Sequence, residues 1–286
     1  MSAREFPAGV RMLLIALVSI VILVLLFRPG DTAQRLVSRW QPQLLLTRPE
    51  PPANQPGAPL PAPISGLAQP LDMFDMHVDD GLYSDERPEL AADLQRALAY
   101  VAARFGSSPS GRFQAMLMRD DSCGLRGIAY TDVRQVQVFS CASIVRARAV
   151  AIMAHEFVHQ LEQDRYGPAH LSADTLLAEG TATWAAGAYW LGGQPDFRAF
   201  VRQQRQASIF YPLATNYDGL GIGAMNALYY EWASFVEFLV GTYGRAQFDR
   251  LYASGGGTIG GADYQGIYGK PLAALEQEWL AWLDAR

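Results

Sequence analysis

From residue 71 onward the apolar positions follow first one period and then another. "MFDMHV" over 73–78, "RFQAMLM" over 112–118, "GIAYT" near Ile128 and "VQVFSC" from Val136 read as short strands, with apolar and polar side chains largely taking turns. Between the first two, Leu90, Leu94, Leu98 and Val101 recur at helical spacing, and Pro88 suits a first helical position, so a helix is predicted over 88–105. Past Ile144 the helical period takes over, with helices predicted over 144–166, 175–190, 195–206, 224–243, 245–253 and 271–285. A small N-terminal sheet followed by a mostly helical C-terminal half is an α+β order.

The first 70 residues are of a different kind. Residues 10–27, "VRMLLIALVSIVILVLLF", hold Arg11 as their only charge and are long enough to span a bilayer. The run ends in "FRPGD" rather than at a small-residue cleavage site, which predicts an uncleaved anchor, with a buried core helix as the plain alternative. Eight prolines between Arg48 and Pro70 then make a solvated spacer. The chain therefore divides into a tail over 1–9, a transmembrane anchor over 10–27, a Pro-rich linker over 28–70 and one folded domain over 71–286.

Composition adds two constraints. With 286 residues, half of them hydrophobic, the chain can bury one substantial core. A net charge of −5 with 23 scattered Lys and Arg gives no basic field, so no nucleic acid partner is expected. Arg28, Arg35, Arg39 and Arg48 after the span outnumber Arg4 and Arg11 before it, which by the positive-inside rule puts the domain in the cytoplasm. The two cysteines point the other way. Cys123 and Cys141 flank a segment that reads as two strands and a turn, and a disulfide there would persist only in an oxidising compartment, although unpaired buried cysteines are also common. The expectation is a single-pass membrane protein with an extracytoplasmic, periplasmic domain.

The candidate chemistry lies in "AVAIMAHEFVHQLEQDRYG", residues 149–167. His155 and His159 stand four apart, on one face of a helix, and can offer ring nitrogens to one ion. Glu156 beside them is placed to take a proton from a water, while Ile152, Met153, Phe157 and Val158 anchor the helix. A structural pair of core histidines is the alternative. Twenty positions after His159, "LLAEGTATW" brings Glu179 onto a return helix.

HEFVH followed by AEGTA resembles the gluzincin zinc metallopeptidases, the peptidase MA-like group that includes thermolysin and the zinc aminopeptidases. "LYYEWASFVEFLVGTYGRAQFDRLY" and "GIYGKPLAALEQEWLAWL" are similar to later helices of that group. The resemblance implies a zincin-like domain binding Zn2+ through His155, His159 and Glu179, and a peptidase in which Glu156 is the general base for a zinc-activated water. It also implies an oxyanion donor at Tyr229, with Tyr230 as the neighbouring alternative. The thermolysin-like pattern has an aspartate four residues after the ligand glutamate, where this chain has Thr183. "GAMN" at 223–226 lies downstream of the zinc helix and lacks the glutamate with which zinc aminopeptidases hold an amino terminus, so an endopeptidase acting on peptides or proteins is expected. The rival readings are an inactive, zinc-stabilised binding module at the membrane and an amidase of cell-wall peptides. His170, in the turn after the zinc helix, competes with Glu179 as third ligand, but its spacing fits no pattern of the group.

Overall fold

A computed structural model describes residues 71–192, 194 and 196–285; the anchor and linker expected over 10–70 lie outside them. Among the described residues no helix is long and apolar enough to cross a membrane. The order of elements is strand β1 (Phe74–Val78), helix α1 (Arg87–Phe105), strands β2 (Phe113–Arg119), β3 (Arg126–Tyr130) and β4 (Gln135–Ser140), then helices α2 (Arg146–Tyr166), α3 (Thr175–Ala186), α4 (Ala188–Leu191), α5 (Phe197–Gln206), α6 (Ile222–Tyr243), α7 (Arg245–Ala253), α8 (Tyr264–Tyr268) and α9 (Leu272–Asp284). This is the α+β order that the periodicity predicts, a small sheet followed by helices.

The strands form one sheet in the order β1-β2-β4-β3, parallel from β1 to β2 to β4 and antiparallel between β4 and β3. Alternation decides which face is covered: Phe113, Ala115 and Leu117 of β2 and Val136 and Val138 of β4 are buried, while Gln114 between them is exposed. The β3–β4 pair is the hairpin expected between the cysteines. It turns through a 3-10 segment, Thr131–Val133, with Arg134 in the left-handed region at φ 54°, and the Cys123–Cys141 disulfide closes its other end.

Helix α2 lies across the covered face, with the Phe157 ring 5.5 Å from those of both Phe74 and Phe113. It is buried without a break from Arg148 to Glu162, so it has no solvent face over most of its length. Helices α1 and α3 pack on its other sides, and α6 packs on α3. Gly180 permits that last contact, because a Cβ there would come within 2.9 Å of the Trp232 carbonyl oxygen.

Two of the departures from the periodicity have a visible cause. The single helix expected over 175–190 breaks at Gly187, φ 50°, where the Tyr100 hydroxyl accepts a 2.9 Å hydrogen bond from the Ala188 amide. Helix α5 starts two residues later than expected because Asp196 caps it, accepting from the Ala199 amide at 2.6 Å. Helix α3 is also capped by an aspartate. Asp174, fully buried, accepts from the Leu176 amide at 2.9 Å, from the Gly260 (2.9 Å) and Ala262 (3.2 Å) amides in the loop before α8, and from the hydroxyl of Tyr264 (2.9 Å), the first residue of α8.

Candidate metal centre

One helical turn separates His155 from His159 on α2, and their rings meet edge to face with centroids 4.9 Å apart. Helix α3 packs on α2 and brings Glu179, one turn past its Asp174 cap, against both. The Glu179 Oε2 lies 3.1 Å from His155 Nε2 and 3.8 Å from His159 Nε2. His155, His159 and Glu179 thus each offer a donor atom to one locus, all three within 4.8 Å of one another. Donor atoms on a tetrahedral zinc stand about 3.4 Å apart, so two imidazoles and a carboxylate at these separations fit Zn2+ in kind and in spacing. His155 is wholly buried, and the site meets the surface only through His159 and Glu179, 9% and 6% exposed.

Glu156, 2% exposed, points its carboxylate at the edge strand β3. A methyl group on Gly127 would sit 2.5 Å from Glu156 Cγ and 2.6 Å from its Cδ, so the missing side chain makes the space that the carboxylate fills. The two tyrosine candidates separate cleanly. Tyr230 donates its hydroxyl to the Trp190 carbonyl at 2.9 Å, whereas the Tyr229 ring stacks parallel to His155 with centroids 6.1 Å apart.

Behind the histidines stands a set of polar groups. Thr183, where the thermolysin-like pattern has aspartate, places its hydroxyl 3.5 Å from His155 Nδ1. Glu162, three residues past His159 on the same helix, places Oε2 2.8 Å from His159 Nδ1. His170 is on this outer side as well. Its Nδ1 is 2.8 Å from the Tyr252 hydroxyl and 3.7 Å from Glu162 Oε2, and with His159 and Glu162 it forms a second, outer His/Glu cluster. Burial drives the charge states of these groups apart. It pushes His170 down to about 3, assisted by His159, and Glu162 up to about 7 against the pull of His159. His159 is also buried, which disfavours its charged form, but Glu162 and Glu179 outweigh that and hold it well above the usual imidazole range.

Glu162 and Gly127 are the site residues that sequence reading leaves out. The first carries a signal, an i, i+3 spacing from His159 on a helix, but one shared by many solvated glutamates. The second carries none, because its partner is a long way off in the chain.

No protein-family model matches the chain, and no curated protein does. Among solved structures it is similar to a crystal structure of a two-domain M1 zinc metallopeptidase, a single-residue variant bound to L-arginine. The identity is 20% and the TM-score 0.41, over 73% of this chain and 47% of that one, so this chain spans about half the length of that protein.

Proposed function

We propose that the chain is a zinc-dependent endopeptidase, with His155, His159 and Glu179 as the metal ligands and Glu156 as the general base. The observation that supports this reading is the convergence of both histidine Nε2 atoms on one oxygen of Glu179. Zn2+ held by these three groups supplies an open coordination position, a Lewis acid for a carbonyl oxygen and a lowered pKa for water. Glu156 accepts the proton of the attacking water and passes it to the departing amine. Tyr229, beside His155, is the residue assigned to donate to the oxyanion as it forms.

Strand β3 supports a peptide as the substrate. It is an edge strand, paired with β4 alone among the described strands, and its Gly127 lies against the Glu156 side chain. An extended chain added there has its peptide bonds within reach of the base. The apolar span over 10–27 and the proline spacer would tether this activity to a membrane, and the Cys123–Cys141 bond favours an oxidising, extracytoplasmic compartment.

The test is metal content together with cleavage of a peptide library by the purified full-length protein and three variants. Glu156→Gln is expected to keep its zinc and to lose at least about 100-fold in rate, or about 2.7 kcal/mol of transition-state stabilisation. Glu179→Ala is expected to lose zinc to a mild chelator, and His170→Ala to keep it. Wild-type cleavage by Glu156→Gln would end the enzymatic reading, and zinc loss in the His170 variant alone would end the ligand assignment. Labelling of both thiols without reductant, in protein from its native membrane, would move the domain to the cytoplasm.

A further inference from the structure

We propose that Glu162 is the positioning residue of this centre: it fixes the ring and the proton of His159 so that Nε2 is the nitrogen left to bind the metal. The inference rests on the zinc reading above and concerns a residue outside the His-Glu-x-x-His motif.

A neutral imidazole has one N–H and one lone pair, and whichever nitrogen donates a hydrogen bond cannot bind a metal. His159 Nδ1 is 2.8 Å from Glu162 Oε2; with the shared proton on Nδ1, the lone pair that a metal needs is the one on Nε2, and displacing the Nε2 proton is what binding requires. That is the nitrogen facing Glu179 at 3.8 Å. Glu162 is itself held. It is fully buried, with His170 Nδ1 3.7 Å from its Oε2 and the Tyr252 hydroxyl 2.8 Å from that same nitrogen. His170 thus borders the carboxylate that supports His159 rather than the His155, His159 and Glu179 locus.

An i, i+3 glutamate on a solvated helix face would be a weak surface pair. Here the face is interior, and a carboxylate there without a partner is costly. The position also completes the pattern of the site. The second helix has Thr183 in place of the carboxylate that thermolysin-like enzymes carry there, and its hydroxyl reaches His155 Nδ1 only at 3.5 Å. The carboxylate support has passed to the other histidine and comes from the zinc helix itself.

Removal of such a partner costs about 10- to 100-fold in metal affinity. Zinc affinity of the full-length protein, measured by competition with a chromophoric chelator, is therefore expected to fall by that factor in Glu162→Ala. Most of it should return in Glu162→Gln, which keeps an acceptor at the same place. Nitrogen-15 NMR of the histidine rings adds a readout that a merely structural role would not move, and it needs no variant. In the wild-type protein His159 is expected to carry its proton on Nδ1 and to meet zinc through Nε2. Zinc bound through Nδ1 of His159, or a Glu162→Ala affinity within about twofold of wild type while Glu179→Ala loses the metal, would overturn the proposal alone. Wild-type affinity in Glu179→Ala would instead remove the zinc site on which it rests.

Discussion

Glu156 has its place because Gly127 has no side chain. The two residues are on different elements, and a Cβ at 127 would run into the Oε1, Cδ and Cγ of Glu156 together, so the whole carboxylate arm must move to admit a larger residue. Gly127→Ala therefore displaces the base without touching a metal ligand. A misplacement of about 1 Å at a reacting group can cost on the order of 100-fold. The expectation is a fall in kcat approaching that of Glu156→Gln, with zinc content unchanged. The double variant should be little worse than Glu156→Gln alone, because both changes remove the same proton transfer. Steady-state kinetics with metal analysis on the three proteins decides it, and full additivity would show that the glycine serves something other than the base.

At the scale of elements, the zinc helix is held at its C-terminal end by charge. Asp164 receives Arg134 and the Ser110 amide, the latter at 2.8 Å. Asp249 on α7 receives Arg165, Arg245 and the Tyr166 hydroxyl, the last two at 2.8 and 2.7 Å. Burial works against both carboxylates, but these donors outweigh it and leave each pKa below the ordinary aspartate value of 3.8. A carboxyl with a folded pKa below its unfolded one contributes stability that is complete above the unfolded value and fades as pH falls through the folded value. Melting temperatures over a pH series should therefore decline below about pH 4. Asp249→Asn should be less stable than wild type at pH 7 and approach it near pH 2. Parallel curves for the two proteins would mean that Asp249 gains nothing from its charge.

For the molecule as a whole, local signals were readable and distant ones were not. Helices α1, α2, α5, α6, α7 and α9 fall within a residue or two of the periods that predict them, because a helix declares itself within its own span. The β3–β4 hairpin was legible for the same reason, its strands being neighbours in sequence. The strand order was not, since Phe74 pairs beside Phe113 and β2 lies beside β4 rather than β3, and no local pattern encodes either choice. The break at Gly187 is imposed by Tyr100 from α1, and the notch for Glu156 by Gly127 from β3. His155, Glu156 and His159 stand out by their spacing and Glu179 by the resemblance that spacing carries, and Thr183 by its departure from that pattern; Glu162 has only an i, i+3 spacing to mark it, while Tyr252 and Gly127 come beside the site only when distant elements meet.

Asp174 gives that last point a dimension in time. The helix that carries Glu179 begins at a carboxylate whose other donors lie in residues 260–264, the first of them 86 residues further along the chain. As the protein is synthesised, His155, His159 and Glu179 all emerge well before the segment that pins the start of their second helix. Until that segment arrives, the cap of α3 has Leu176 as its partner and lacks the three donors that tie it to the far end of the domain. The proposed metal site should thus be among the last features to mature as the chain is made. Stalled nascent chains ending before Gly260 are expected to retain zinc more weakly than chains released at full length, and equal retention by the two would show that the ligands assemble without waiting for the rest.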